Sequence, residues 1–134
     1  MSEQSILIVD DDESIIFSLK RCFERSISHI YNISYFTSPL EALNSAKTTA
    51  YDLAISDQRM PDIDGIELLS QIRHLQPQCI SIILSGLQDS KTLLKAINQA
   101  HVYHYVCKPW ENHDLVNLIE EALEFGCKQA ENIR

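Results

Sequence analysis

Three consecutive aspartates, Asp10, Asp11 and Asp12, close the opening stretch "SILIVDDD", and a fourth, Asp57, closes a second apolar run, "LAISD". Ser85 ends a third such run, and Lys108 follows a fourth. Carboxylates crowded together raise one another's pKa unless a cation neutralises them. A hard divalent ion suits all-oxygen ligation, and Mg²⁺ in particular combines a few carboxylates with waters and a phosphoryl oxygen. Such a set could perform phosphoryl transfer. An aspartate attacks phosphorus while a metal and an ammonium offset charge on the transferring group. These residues lie far apart in the chain, so the chemistry exists only if the fold gathers them.

The elements that must do so can be read in order. "ILIV" predicts a buried strand, and Ile15, Ile16, Leu19, Cys22 and Phe23 fall at helical spacing from Glu13 to about Ser26. "NISYFTS" is a short strand. Ser38, Pro39 and Glu41 then form a capping box with proline at the first helical position. After "YDLAIS", Asp64 and Glu67 repeat the capping spacing before "IELLSQIRHL". "CISIILS" and "VYHYVCKP" are the fourth and fifth strands, "DSKTLLKAINQA" the fourth helix and "LVNLIEEALEF" the fifth. Strands and helices alternate five times, which predicts an α/β domain with an open, doubly wound five-stranded parallel sheet. Continuous apolar strands agree, because both faces of a parallel sheet are covered. Parallel strands deliver their carboxyl ends to one edge, where such sheets bind ligands. Asp10 to Asp12, Asp57, Ser85 and Lys108 all belong to that edge.

Bulk composition narrows the function. The chain has 134 residues, 45% hydrophobic and 22% charged, values of a single globular domain. Its net charge of −8 argues against direct nucleic-acid binding. No apolar run approaches a membrane span, and Met1 to Gln4 lead straight into the first strand, so no signal peptide and a cytoplasmic location are expected. Cys22, Cys79, Cys107 and Cys127 lack zinc-module spacing and read as reduced core thiols. His101 and His104, three apart in the expected fifth strand, would face opposite sides. The polar tail after Gly126 either extends the last helix or begins a connection.

Taken together, "ILIVDDD", the loop Asp57-Gln58-Arg59-Met60-Pro61-Asp62-Ile63-Asp64-Gly65, "LSG" and "YVCKP" resemble, in order and spacing, the receiver domains of two-component response regulators. The resemblance covers about residues 5 to 125, leaving 126–134 as a helical extension or the start of a linker to an output domain. It implies a flavodoxin-like (β/α)5 fold with strand order 2-1-3-4-5. It also implies a signalling domain, not a conventional enzyme, that catalyses its own phosphorylation and dephosphorylation. Asp57 would be the phosphoacceptor, charged from a sensor histidine kinase or phosphotransfer protein. Mg²⁺ would be held by Asp11 and Asp57, by Asp10 through water, and by the backbone carbonyl of Arg59. Lys108 and Ser85 would bind the phosphoryl group, Ser85 and Tyr105 would form the switch, and the Lys108-Pro109 bond would be cis. The surface of the fourth helix, fifth strand and fifth helix would control an output domain, or a homodimer formed on phosphorylation. "SDQRMP" and Trp110 resemble receivers fused to enhancer-binding activators or cyclic-di-GMP phosphodiesterases. Arg59 and Leu87 flank the expected path of water to the phosphoryl group, which predicts a phosphorylated state that outlasts those of fast chemotaxis-type receivers.

Taken singly, each feature has an ordinary explanation: Asp12 and Asp64 as helix caps, Asp57 and Ser85-Gly86 as turns, Lys108 as a charged strand exit, Tyr105 as a rim aromatic. Two further readings stay open. A haloacid dehalogenase-type phosphohydrolase would use the Asp10-x-Asp12 pattern, but it needs an acidic pair where only Glu111 and Asp114 are offered, and it leaves Asp57 without a role. A pseudo-receiver would bind partners without phosphorylation.

Overall fold

The computed structural model describes residues 3–86, 91, 94 and 98–133. Its strands are β1 (Ser5–Val9), β2 (Asn32–Phe36), β3 (Leu53–Asp57), β4 (Ile80–Ser85) and β5 (His104–Cys107). They form one parallel sheet in the order β2-β1-β3-β4-β5. This is the doubly wound arrangement the sequence predicts, with order 2-1-3-4-5.

The apolar runs are continuous because each strand serves two cores. Ile6 and Ile8 of β1, Leu53 and Ile55 of β3, and Ile82 and Leu84 of β4 pack on one side. There they meet Ile16, Leu19 and Phe23 of helix α1 (Glu13–Glu24) and Leu115, Ile119 and Ala122 of the C-terminal helix (Asn112–Ile133). Leu7, Val9, Ala54 and Ile83, the alternate residues, meet helices α2 (Pro39–Ala46) and α3 (Gly65–Leu75) through Ala42, Ile66, Leu69 and Ile72. Each fully buried Leu or Ile contributes about 1.5–3 kcal/mol, so the double-sided core holds the strand tips in fixed relation.

Side-chain caps fix where the helices start. Asp12, Ser38 and Asp64 accept from the main-chain N–H of Ser14, Glu41 and Glu67 respectively. Glu111 accepts from the N–H of His113 and of Asp114 at the start of the C-terminal helix. These contacts occupy Glu111 as a cap, removing it from the acidic pair a phosphohydrolase would require.

Two expectations are revised. β5 starts at His104, and His101 lies before it in a left-handed turn with φ of 52°, so the two histidines do not share a strand. Cys127 is exposed on the last helix and is not a core thiol, although all four cysteines are free. The last helix runs unbroken through Gly126 for 22 residues. Of the fourth predicted helix, Lys91, Leu94, Asn98 and Gln99 have helical backbone, and the rest lies outside the described residues. The Lys108-Pro109 bond is cis. No helix among the described residues is long and apolar enough to cross a membrane.

Candidate functional site

Adjacent strands ending at one level bring the predicted residues together. Asp10 directly follows β1, and its N–H extends the ladder by donating to Phe36. Asp57 is the last residue of β3 and pairs in register with Leu84, which puts Ser85 one step beyond it on β4. The N–H of Lys108 donates to the carbonyl of Ser85 at 2.8 Å, tying the exit of β5 to the tip of β4.

Carboxylate oxygens of Asp10, Asp11 and Asp57 lie within 4.8 Å of one another. Asp10 and Asp57 are buried, whereas Asp11 opens to solvent. Lys108 Nζ stands 2.9 Å from Asp57 Oδ1 and 3.6 Å from Asp10 Oδ2. The first distance is a charge-assisted hydrogen bond; the second is an ion pair beyond hydrogen-bond reach. Asp10 Oδ1 accepts from the N–H of Asp12 at 2.9 Å, but among the described residues its buried Oδ2 has no hydrogen-bond partner.

The electrostatics follow from this geometry. Burial pushes the Asp10 carboxyl up to about 6, with the neighbouring charges of Asp57 and Asp11 adding to it. The Asp12 N–H and Lys108 oppose the rise without cancelling it. Burial also pulls the Lys108 ammonium down, yet its hydrogen bond to Asp57 and the charges of Asp10 and Asp57 outweigh that and hold it above its ordinary value. Among the described residues, the one lysine paired with these three carboxylates underneutralises them. An orphaned buried oxygen in an all-oxygen cluster of net negative charge fits a hard divalent cation.

Asp12 points its carboxylate into its own helix start, where Ser14 keeps it well ionised, and so acts as a cap. Ser85 is buried, and Arg59 is exposed. Tyr105 stands outside the acidic cluster, 39% exposed on β5 beside a hollow that also involves Trp110 and Leu118. Leu87 lies outside the described residues.

Two participants escaped sequence reasoning. Gly65, read as part of a turn, starts α3 directly against the backbone of Asp57; a Cβ there would stand 2.3 Å from the Asp57 carbonyl oxygen. Gln58 is buried, and its side-chain oxygen accepts from the N–H of Ile66 at 3.0 Å. The signal available was position alone: one residue flanks Asp57, and the other begins the returning helix.

Comparisons with known proteins agree with this geometry. The chain matches the sequence model of the response regulator receiver domain over residues 6–120. The hydrogenase transcriptional regulatory protein HoxA of Cupriavidus necator is 28% identical, over 91% of this chain and 24% of that protein. The DNA-binding transcriptional regulator NtrC of Proteus hauseri is 33% identical, over 99% of this chain and 28% of its own length. This chain thus spans about a quarter of those curated relatives. The crystal structure of the signal receiver domain of an HD domain-containing protein from Pseudomonas fluorescens Pf-5 superposes with a TM-score of 0.87 at 31% identity, covering 95% of this chain and 99% of that one.

Proposed function

The chain belongs to the response regulator receiver domain family, and on that premise we propose that it is a phosphorylation switch with Asp57 as phosphoacceptor. An Asp57 carboxylate oxygen attacks the phosphorus of a phosphohistidine on a sensor histidine kinase or phosphotransfer protein. The new O–P bond forms as the N–P bond breaks, and the departing imidazole takes up a proton. Asp57 sits on a rigid strand tip, which holds the nucleophile in line. Lys108, already 2.9 Å from Asp57 Oδ1, transfers its hydrogen bond to an oxygen of the arriving group. Ser85 donates its hydroxyl to another.

Asp11 and Asp57, Asp10 through water and the carbonyl of Arg59 would hold Mg²⁺. When bound, that ion supplies the positive charge the trianionic cluster and the phosphoryl oxygens require. Movement of Ser85 toward the phosphoryl group draws Tyr105 inward from its exposed position. This alters the surface formed by the fourth helix, β5 and the C-terminal helix, which controls an output domain or a homodimer. Residues 1–125 form the switch, and its last helix continues from Gly126 to Ile133.

The observation that carries this reading is the buried Asp10 Oδ2, which lacks a hydrogen-bond partner among the described residues, beside the Lys108–Asp57 pair. It is tested by intact mass after incubation with acetyl phosphate and Mg²⁺. One phosphoryl adduct, lost in Asp57→Asn and with a chelator, is the expected result. No adduct, together with no response of Trp110 fluorescence to beryllofluoride, would leave a phosphorylation-independent binding module.

A further inference from the structure

Helix α3 begins where the loop from Asp57 returns to the sheet, and its first three N–H groups have no intrahelical acceptors. All three are met. The main-chain carbonyl of Gln58 accepts from Gly65 at 2.9 Å, the side-chain oxygen of Gln58 from Ile66 at 3.0 Å, and Asp64 Oδ1 from Glu67 at 2.9 Å. Gln58 thus serves two of the three. Its own N–H donates to Leu84 at 3.0 Å, anchoring it to β4. The segment 59–64 is therefore a loop whose two ends are fastened to each other through one buried residue. Only a glycine at 65 permits the closure, because any Cβ would strike the Asp57 carbonyl.

We propose that Gln58 is a positioning residue for the cation site: its double clasp on α3 fixes the backbone of Arg59 relative to the Asp57 carboxylate. The proposal rests on the reading that Mg²⁺ occupies the acidic cluster with the Arg59 carbonyl among its ligands. Gln58 does not touch the ion. It sets the height of a carbonyl that belongs to the next residue. Supporting groups of this kind are worth about 10- to 100-fold in metal affinity.

The test titrates MgCl₂ calorimetrically into native protein, Gln58→Met and Gln58→Glu, with folding of each confirmed by circular dichroism. Gln58→Met keeps the volume and loses the acceptor, and the dissociation constant for Mg²⁺ rises by about 10-fold or more. Gln58→Glu keeps an acceptor for the Ile66 N–H and binds Mg²⁺ no more weakly than native. A purely structural role would lower the melting temperature of Gln58→Met without this split in metal affinity. Native affinity in a folded Gln58→Met overturns the clasp. Should that variant not fold, amide exchange in the native protein decides. The Ile66 N–H is protected without metal and exchanges more slowly still with Mg²⁺; free exchange, or indifference to Mg²⁺, overturns the proposal. Absence of Mg²⁺ binding to native protein would overturn the metal reading itself, and the clasp with it.

Discussion

The two ends of the sheet treat their polar groups in opposite ways. At the carboxyl end, among the described residues, three carboxylates share one ammonium, and Asp10 keeps an oxygen without a hydrogen-bond partner. At the amino end, a cavity of about 650 Å³ opens between the loops after α2 and α3 and the C-terminal helix. There Gln76 donates from Nε2 to the carbonyls of Ala46 and Thr49 at 2.8 and 2.7 Å, and accepts from the N–H of Tyr51 at 2.7 Å. Asp52 accepts from the N–H of Ser5 at 2.8 Å. The volume of a hollow therefore says little about function. The acidic end is marked by a deficit of partners, and a deficit is what a ligand can fill.

The comparison can be broken most sharply at Gly65, where α3 comes closest to the sheet. At the site, Gly65→Ala forces a Cβ into the backbone of Asp57 and is expected to cost about 3 kcal/mol by urea denaturation. At the amino end, Gln76→Ala strands the N–H of buried Tyr51 and two carbonyls, for a loss of about 2 kcal/mol in the same measurement. The equivalent deletion at the acidic end has the opposite sign. Without metal at neutral pH, Asp10→Asn gains about 1–2 kcal/mol, because it removes a buried charge, though Lys108 loses a partner.

That gain has a pH signature. The Asp10 carboxyl holds its proton up to about 6 when folded, against 3.8 when unfolded. Its favourable contribution is complete below 3.8 and lost as pH rises through about 6, so metal-free stability declines across that window. Asp10→Asn flattens the decline; an unchanged profile would show that Asp10 is not the group responsible. The smallest effect belongs to Gly126→Ala, whose Cβ would meet only the Ile80 side chain at 3.1 Å. Helix propensity and that contact offset each other to within about 0.5 kcal/mol.

The sheet and the acidic edge were legible because a few local patterns determine them. Doubly covered strands read as unbroken apolar runs, alternation with helices implies parallel pairing, and parallel pairing puts Asp10, Asp57, Ser85 and Lys108 at one edge. Asp12, Ser38 and Asp64 announced helix starts for the same reason, since a cap acts within three residues. Gln58 and Gly65 were not legible in this way. Their roles arise only once α3 folds back onto the tip of β3, a tertiary contact with no periodic trace in the chain. His101 was placed in a strand because its neighbours are apolar and aromatic, yet the backbone turns through a left-handed residue before pairing begins. Cys127 read as a core residue because an apolar stripe precedes it, but its position on the helix turns away from that stripe.

The last helix starts four residues after Lys108 and continues past Gly126, where it rests on Ile80 at the far end of β4. At 1.5 Å per residue it is about 33 Å long, enough to run the full depth of the domain. A hydrogen-bonded helix hardly stretches, so it behaves as a push-rod. A small axial shift of residues 108–111 would be carried along it toward Cys127 and Ala130, and with it the Leu115, Ile119 and Ala122 side chains that pack on the sheet.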